Sequence, residues 1–223
     1  MSDQLQLRRD TLANIQAAVP AQGEPAYATD TGMLLLGDGA ASGGAPSALN
    51  QFFTGYVAGR YYFPGPSGTA TAPVAANRLY ASPFFSFQRQ TFTKLGIEIT
   101  TAAGTNGRLG IYKWANGVPS SLVLDAGAIS IASTGYQEIT GLNFTLNPGV
   151  YGLAFLPDTA VTVRAITNTG ISWFANFLLG ASAPGAAIEL LVNAAQIYGA
   201  LPATFPASVT YQSANAPAVG LRL

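Results

Sequence analysis

The sequence contains no cysteine and no histidine. The first absence excludes disulfide staples, thiol nucleophiles and thiolate-bound metal, and the second excludes imidazole acid–base chemistry and Ser-His-Asp triads. Charge is the next scarcity: charged residues make up 9% of the chain, against an average of about 25%. Ten basic and ten acidic residues cancel to zero formal net charge. Such a surface has no field to gather phosphate backbones or anionic lipid, so no nucleic acid and no membrane surface is expected as a partner. Long clean apolar runs are missing too. The most apolar stretch, Ile171 to Leu201, is interrupted by Asn176, Pro184, Glu189, Asn193 and Gln196, short of the roughly 20 apolar residues a bilayer demands. No membrane insertion is expected. Met1 to Asp10 carries no apolar h-region, so no secretory signal peptide and assembly in a cytoplasm are expected.

What fills the chain instead is 25 Gly, 14 Pro and many Ala, Thr, Ser and Asn residues. A neutral, hydroxyl-rich surface with so few charges tends to associate with copies of itself, which predicts a homo-oligomer. Acidic residues dominate the first fifty positions, where Asp3, Asp10, Glu24, Asp30 and Asp38 face only Arg8 and Arg9. The Gly-Ala-Ser-Gly-Gly-Ala-Pro-Ser run ending at Ser47 supplies a matching linker signal. The expected organisation is therefore a small N-terminal module over 1–53 and one larger domain over 54–223.

In the first module, Gln4 to Arg8 alternates as a short strand. Asp10 is placed to cap a brief helix carrying Leu12, Ile15 and Val19, stopped by Pro20. Turns at Gln22–Pro25, Thr29–Gly32 and Gly37–Gly39 flank an apolar strand from Met33 to Leu36. Beyond residue 54, strands alternate with turns every eight to twelve residues. Leu95, Ile97 and Ile99 alternate with Lys94, Gly96 and Glu98; Leu109 and Ile111 alternate with Arg108, Gly110 and Tyr112; Val219, Leu221 and Leu223 alternate with Gly220 and Arg222. Asn116-Gly117 and Asn147-Pro148-Gly149 fall between such runs, where a fixed or positive φ is needed. Strands are expected near 54–63, 84–88, 91–101, 107–114, 121–131, 136–146, 149–156, 161–167 and 217–223. A short helix is expected from Pro184 to Tyr198, because Ile188, Leu191, Val192 and Ala195 share one helical face. The fold class is all-β: a small N-terminal β-rich module plus an antiparallel, jelly-roll-like β-sandwich.

Arg8-Arg9-Asp10-Thr11, Gln22-Gly23-Glu24-Pro25, Tyr27, Thr29-Asp30-Thr31-Gly32 and Leu36-Gly37-Asp38-Gly39 recur in the order and spacing of a known module. This stretch resembles the N-terminal module of phage tail-fibre and tropism-determinant proteins. The remainder is similar to a β-sandwich module of phage fibre and head-spike proteins, found in tailed phages and phage-like gene transfer agents. Its carriers are Tyr61-Tyr62-Phe63-Pro64, Leu95-Gly96-Ile97, Arg108-Leu109-Gly110-Ile111-Tyr112, Pro148-Gly149-Val150-Tyr151 and the Leu201–Pro206 loop. These resemblances imply a virion structural protein, a homotrimeric fibre or spike subunit held by other virion proteins. They imply an exterior position and attachment to host cell-surface polysaccharide. The rival reading is a capsid decoration or cement protein with no host ligand, and a third is a polysaccharide-cleaving spike.

Paired carboxylates are the one catalytic device the composition leaves open. Glu98, Asp125, Glu138, Asp158 and Glu189 each read as an outward strand position or a turn residue, and no pair stands out. No catalytic residue is therefore assigned and no enzyme is expected. Asp30 and Asp38 flank glycine-rich turns as isolated acids, so Asx-type turn bonding is expected there and no metal or cofactor. The glycine run after Asp38 lacks the Lys-Ser/Thr end of a phosphate loop.

Sugar recognition remains, since sugar faces stack on exposed rings beside amide, acid or guanidinium groups. Trp114, at a strand end next to Lys113 and the Asn116-Gly117 turn, is the leading candidate, with Tyr198 a second ring. Trp173 and the Phe84-Phe85-Ser86-Phe87 cluster are expected to be packing residues.

Overall fold

The computed structural model describes residues 8–37, 39–40, 45–46, 55–65, 67–167, 179–180, 182–184, 186–187 and 189–223. In chain order its elements are β1 (Arg8–Asp10), α1 (Leu12–Gln16), β2 (Pro25–Ala28), β3 (Met33–Leu36), β4 (Ala45–Pro46), β5 (Tyr61–Tyr62), β6 (Ser67–Val74) and β7 (Arg78–Ser86). There follow β8 (Gln90–Phe92), β9 (Lys94–Thr101), β10 (Asn106–Ala115), β11 (Val118–Ser130), β12 (Gly135–Ile139), β13 (Phe144–Leu146), β14 (Gly149–Pro157) and β15 (Val161–Ile166). The chain closes with β16 (Leu191–Ala195), β17 (Thr210–Gln212), β18 (Ala216–Pro217) and β19 (Gly220–Arg222). It is an all-β protein.

Two compact units emerge. The first comprises 1–57 together with two short segments from later in the chain, 86–91 and 145–149. Its sheet runs β1-β2-β3-β4, with β1 parallel to β2 and β3 antiparallel to it. Because strand side chains alternate, Ala26, Ala28 and Leu35 fall on one side, and there they bury against Ile15 of α1. Thr11 caps α1, its hydroxyl accepting the Asn14 N–H, whereas Asp10 accepts from the Thr11 N–H and the Asn14 amide. The expected cap thus moves by one residue, because the side chain three positions before Asn14 is the one that reaches its N–H. Asp30 turns to the same helix and accepts the Leu12 N–H at 2.8 Å. It satisfies one of the donors a helix start leaves open. Asp38 and most of the expected Gln4–Arg8 strand lie outside the described residues. The 86–91 segment joins this unit through Arg89, whose N–H and guanidinium donate to the carbonyls of Thr31 and Thr29.

The second unit holds a six-stranded sheet, β11-β10-β14-β7-β16-β17, and a seven-stranded sheet, in which β18-β15-β9-β19-β5 form the path while β12 pairs β9 and β6 pairs β15. Both sheets bury rows of apolar side chains at alternating positions. Leu95, Ile97 and Ile99 of β9 are at most 1% exposed, as are Leu109 and Ile111 of β10 and Leu153 and Phe155 of β14. Each such side chain contributes on the order of 1.5–3 kcal/mol by leaving water.

The six-stranded sheet is buried on its other face as well. Leu79, Ala81, Tyr112, Ala154, Leu156, Val192 and Ala194 pack there under Leu201 and Phe205 of the loop after β16. Double burial explains the misread helix. Residues 191–195 form strand β16 between β7 and β17, in place of the expected helix over Pro184–Tyr198. A strand covered on both sides is apolar at successive positions, so Leu191, Val192 and Ala194 match a helical face as well as a strand. Ile188, the first residue of that supposed face, lies outside the described residues, as does Trp173.

Strands β6 and β17 went unrecognised. Thr71-Ala72-Pro73-Val74 carries a proline, which an edge strand tolerates, and among the described residues β6 pairs with β15 on one side. The stretches read as single strands over 91–101, 136–146 and 217–223 are each two elements.

Candidate functional site

Two of the four sequence-derived candidates reach one core cluster but at different places, Trp114 over Gly152 and Tyr198 beside Asn77. Trp114 and Tyr198 are both half-buried and both pack on the cluster formed by Leu79, Ala81, Tyr112 and their neighbours. The Trp114 ring covers Gly152, and its Nε1 is buried without a hydrogen-bond partner. The Tyr198 N–H donates to Asn77 Oδ1 at 2.8 Å. Lys113 alternates with Trp114 and so leaves the sheet on the opposite side, exposed. Asn116 and Gly117 are the two loop residues of the β10–β11 hairpin, with φ of 54° and 81°. That left-handed pair is what a two-residue hairpin with matching strand twist demands.

The loop through Leu201 and Phe205 is stitched down beside them. Its backbone bonds to β11 through Leu122 N–H to the Ala203 carbonyl and Phe205 N–H to the Ser120 carbonyl. The Tyr112 hydroxyl donates to the Pro202 carbonyl at 2.9 Å, and the Tyr112 and Phe205 rings meet edge to face at 5.2 Å. Asp125 anchors the near end. Its carboxylate takes Arg108 Nε on both oxygens, at 2.7 and 2.9 Å, and the N–H groups of Gly127 and Leu201.

Three further acids of this unit are also engaged. Glu98 receives a two-point bond from Arg164 at 2.7 and 2.9 Å, and this pairing holds its carboxyl below the usual range. For Asp158, burial pushes upward, but bonds from the Thr105 hydroxyl and the Asn106 N–H outweigh it and the net shift is downward. Lys94 meets Glu138 at 2.9 Å and, with the Tyr61 hydroxyl that also donates to Glu138, lowers it. Glu189 leaves Oε2 buried without a hydrogen-bond partner. Among the described residues, no cluster of three or more acids forms.

Glu138 belongs to an aromatic platform that the sequence reading did not single out. Register places Lys94, Gly96 and Glu98 of β9, Tyr136 and Glu138 of β12, Gly220 and Arg222 of β19 and Tyr61 of β5 on one face of the seven-stranded sheet. This face is the one opposite Leu95, Ile97 and Leu221. Two glycines let rings lie down on it. A Cβ at Gly96 would come within 2.7 Å of Tyr136 Cε1, and one at Gly220 within 2.5 Å of Phe63 Cε1. Tyr61 bridges them, 4.8 Å from Tyr136 and 6.3 Å from Phe63 between ring centroids. Arg222 stacks over Tyr61 at 5.3 Å. Burial, and next the Glu138 carboxylate, push the Tyr61 hydroxyl up. Glycines on the outward positions of two paired strands were the legible signal for this platform.

Comparison with known proteins bears on the first unit. Residues 5–41 match the family model of the major tropism determinant N-terminal domain. The chain carries a tropism-determinant module at its N-terminus. That module points to a bacteriophage virion component of the tropism or receptor-binding kind, with tail fibres as its setting. No curated protein matches the chain. One solved structure contains the cysteine protease and lectin-like domains of Cwp84, a surface layer associated protein of Clostridium difficile. It aligns at 15% identity with a TM-score of 0.38, over 66% of this chain and 33% of that one. The chain thus spans about a third of that structure's length, and a likeness this weak carries no weight for fold or ligand. Among the described residues, no helix is long and apolar enough to cross a membrane.

Proposed function

We propose that this protein is a homotrimeric subunit on the outside of a phage particle, attaching it to host surface polysaccharide without cleaving it. The tropism-determinant module carries this reading, since it ties the chain to host recognition. The chemistry of the second unit agrees. Glu98, Asp125 and Glu138 are consumed in ion pairs, which suits carboxylates that hold a scaffold better than acids that exchange protons with a substrate. No cofactor, metal, nucleic acid or bilayer enters this reading. The first unit supplies a reason to associate: Tyr27, Leu34 and Leu36, 37%, 41% and 45% exposed, share the sheet face opposite α1. An apolar face of that kind is a natural contact between copies or with another virion protein.

Retention of the purified chain on intact host cells tests this. Retention that disappears when the surface polysaccharide is stripped, with no reducing ends released, supports it. Equal retention on stripped cells contradicts the polysaccharide, and absence of retention favours a decoration role. Released reducing ends would make the protein an enzyme. Sedimentation is expected to give the mass of three copies.

A further inference from the structure

The geometry points to the Tyr61–Tyr136–Arg222 platform as a binding site for an acidic, carboxylate-bearing saccharide. The inference rests on the attachment reading above and names the ligand class and the residues that would serve it. Three observations carry it.

Ring presentation is the first. Side chains on an outward sheet face ordinarily stand up from the backbone, but Gly96 and Gly220 leave space for Tyr136 and Phe63 to lie along it. Tyr136 remains 40% exposed. A ring fixed against backbone on one side and open on the other offers a flat surface to the C–H face of a pyranose, and little side-chain entropy is left to lose.

Hydrogen-bonding capacity is the second. The Tyr61 hydroxyl, Glu138 and Lys94 form a connected polar rim beside the rings, the kind of directional group that distinguishes sugar hydroxyls from plain apolar surface.

Charge is the third, and it selects the class. On this face Arg164 is held by Glu98 and Lys94 by Glu138. Arg222 forms no ion pair among the described residues, and its Nε is buried without a hydrogen-bond partner while its guanidinium lies over Tyr61. Lys94 and Arg222 against Glu138 leave one positive charge in excess. A guanidinium laid on an aromatic ring, within the field of Glu138 but with no carboxylate in direct ion-pair contact among the described residues, has bonding capacity left for one from outside, as a uronic acid would bring.

The test immobilises the full chain and measures binding of alginate, a polyuronate, and of dextran, a neutral glucan, by biolayer interferometry. Alginate is expected to bind, more weakly as sodium chloride rises because the Arg222 contribution is screened, and dextran to bind far less. Arg222→Gln and Tyr136→Ala are each expected to weaken alginate binding about tenfold, while Tyr136→Phe retains most of it. Unaltered melting temperatures for these variants separate loss of the site from loss of fold. Equal binding of dextran overturns the acidic class, and no alginate binding, or full binding by both weakening variants, overturns the site. The same proteins on host cells separate the two levels. Host retention without alginate binding defeats this inference alone, whereas absence of host retention defeats the attachment reading beneath it.

Discussion

Leu201 occupies the space that Gly110 leaves empty: a Cβ on Gly110 would stand 2.1 Å from Leu201 Cδ1 and 2.7 Å from the Leu124 carbonyl oxygen. The loop after β16 is thereby seated on the six-stranded sheet at one small residue. Gly110→Ala is expected to unseat Leu201 and destabilise the fold by about 1–3 kcal/mol, the usual cost of overpacking. Chemical denaturation of the purified variant measures it, and an unchanged midpoint would mean the loop yields freely.

Asp125 fastens the same loop by charge. Asp125→Ala removes the acceptor for Arg108, Gly127 and Leu201 together. Leaving those donors partly buried without partners is expected to cost about 2–3 kcal/mol. Asp125→Asn, which keeps one acceptor oxygen, should cost less, and the ordering of the two denaturation midpoints is the check.

Trp114 contributes to stability through its packing on the Leu79–Tyr112 cluster. Because the ring is only half-buried, Trp114→Ala is expected to cost about 2 kcal/mol, below the range of a fully buried aromatic. Its Nε1 has no protein hydrogen bond to lose. Tryptophan fluorescence and denaturation of the variant give both the environment and the cost.

Acid should destabilise the fold. Glu98, Glu138 and Asp158 are all lowered by their partners, so the unfolded chain binds protons at a higher pH than the native one. Their contribution is complete above the unfolded value of about 4 and disappears as pH falls through the lower native values. The thermal midpoint is expected to stay level from about pH 7 to pH 5 and to drop below that. A midpoint that holds or rises toward pH 3 would show that these pairs do not matter for folding.

Much of the fold was legible because one-sided strands announce themselves. Leu95, Ile97 and Ile99 alternate with polar or small neighbours, and β9 lies where that pattern put it. Strand β16 was not legible, because burial on both faces erased the alternation, and β6 was not, because an edge strand can carry Pro73. The functional face was harder still. Trp114 attracted attention as a large ring beside a polar turn, and the structure sets it half-buried on a core cluster. The platform arises from long-range register, which brings Tyr61, Lys94, Tyr136 and Arg222 together from four strands. Only the outward glycines at 96 and 220 hinted that rings would lie there.

The central claim is that this chain makes the contact between particle and host, and competition tests it most directly. Purified protein in excess over the particle's own copies is expected to slow adsorption of the particle to its host in proportion to the receptors it occupies. Adsorption that proceeds at an undiminished rate, with the competitor shown to be folded, would contradict it.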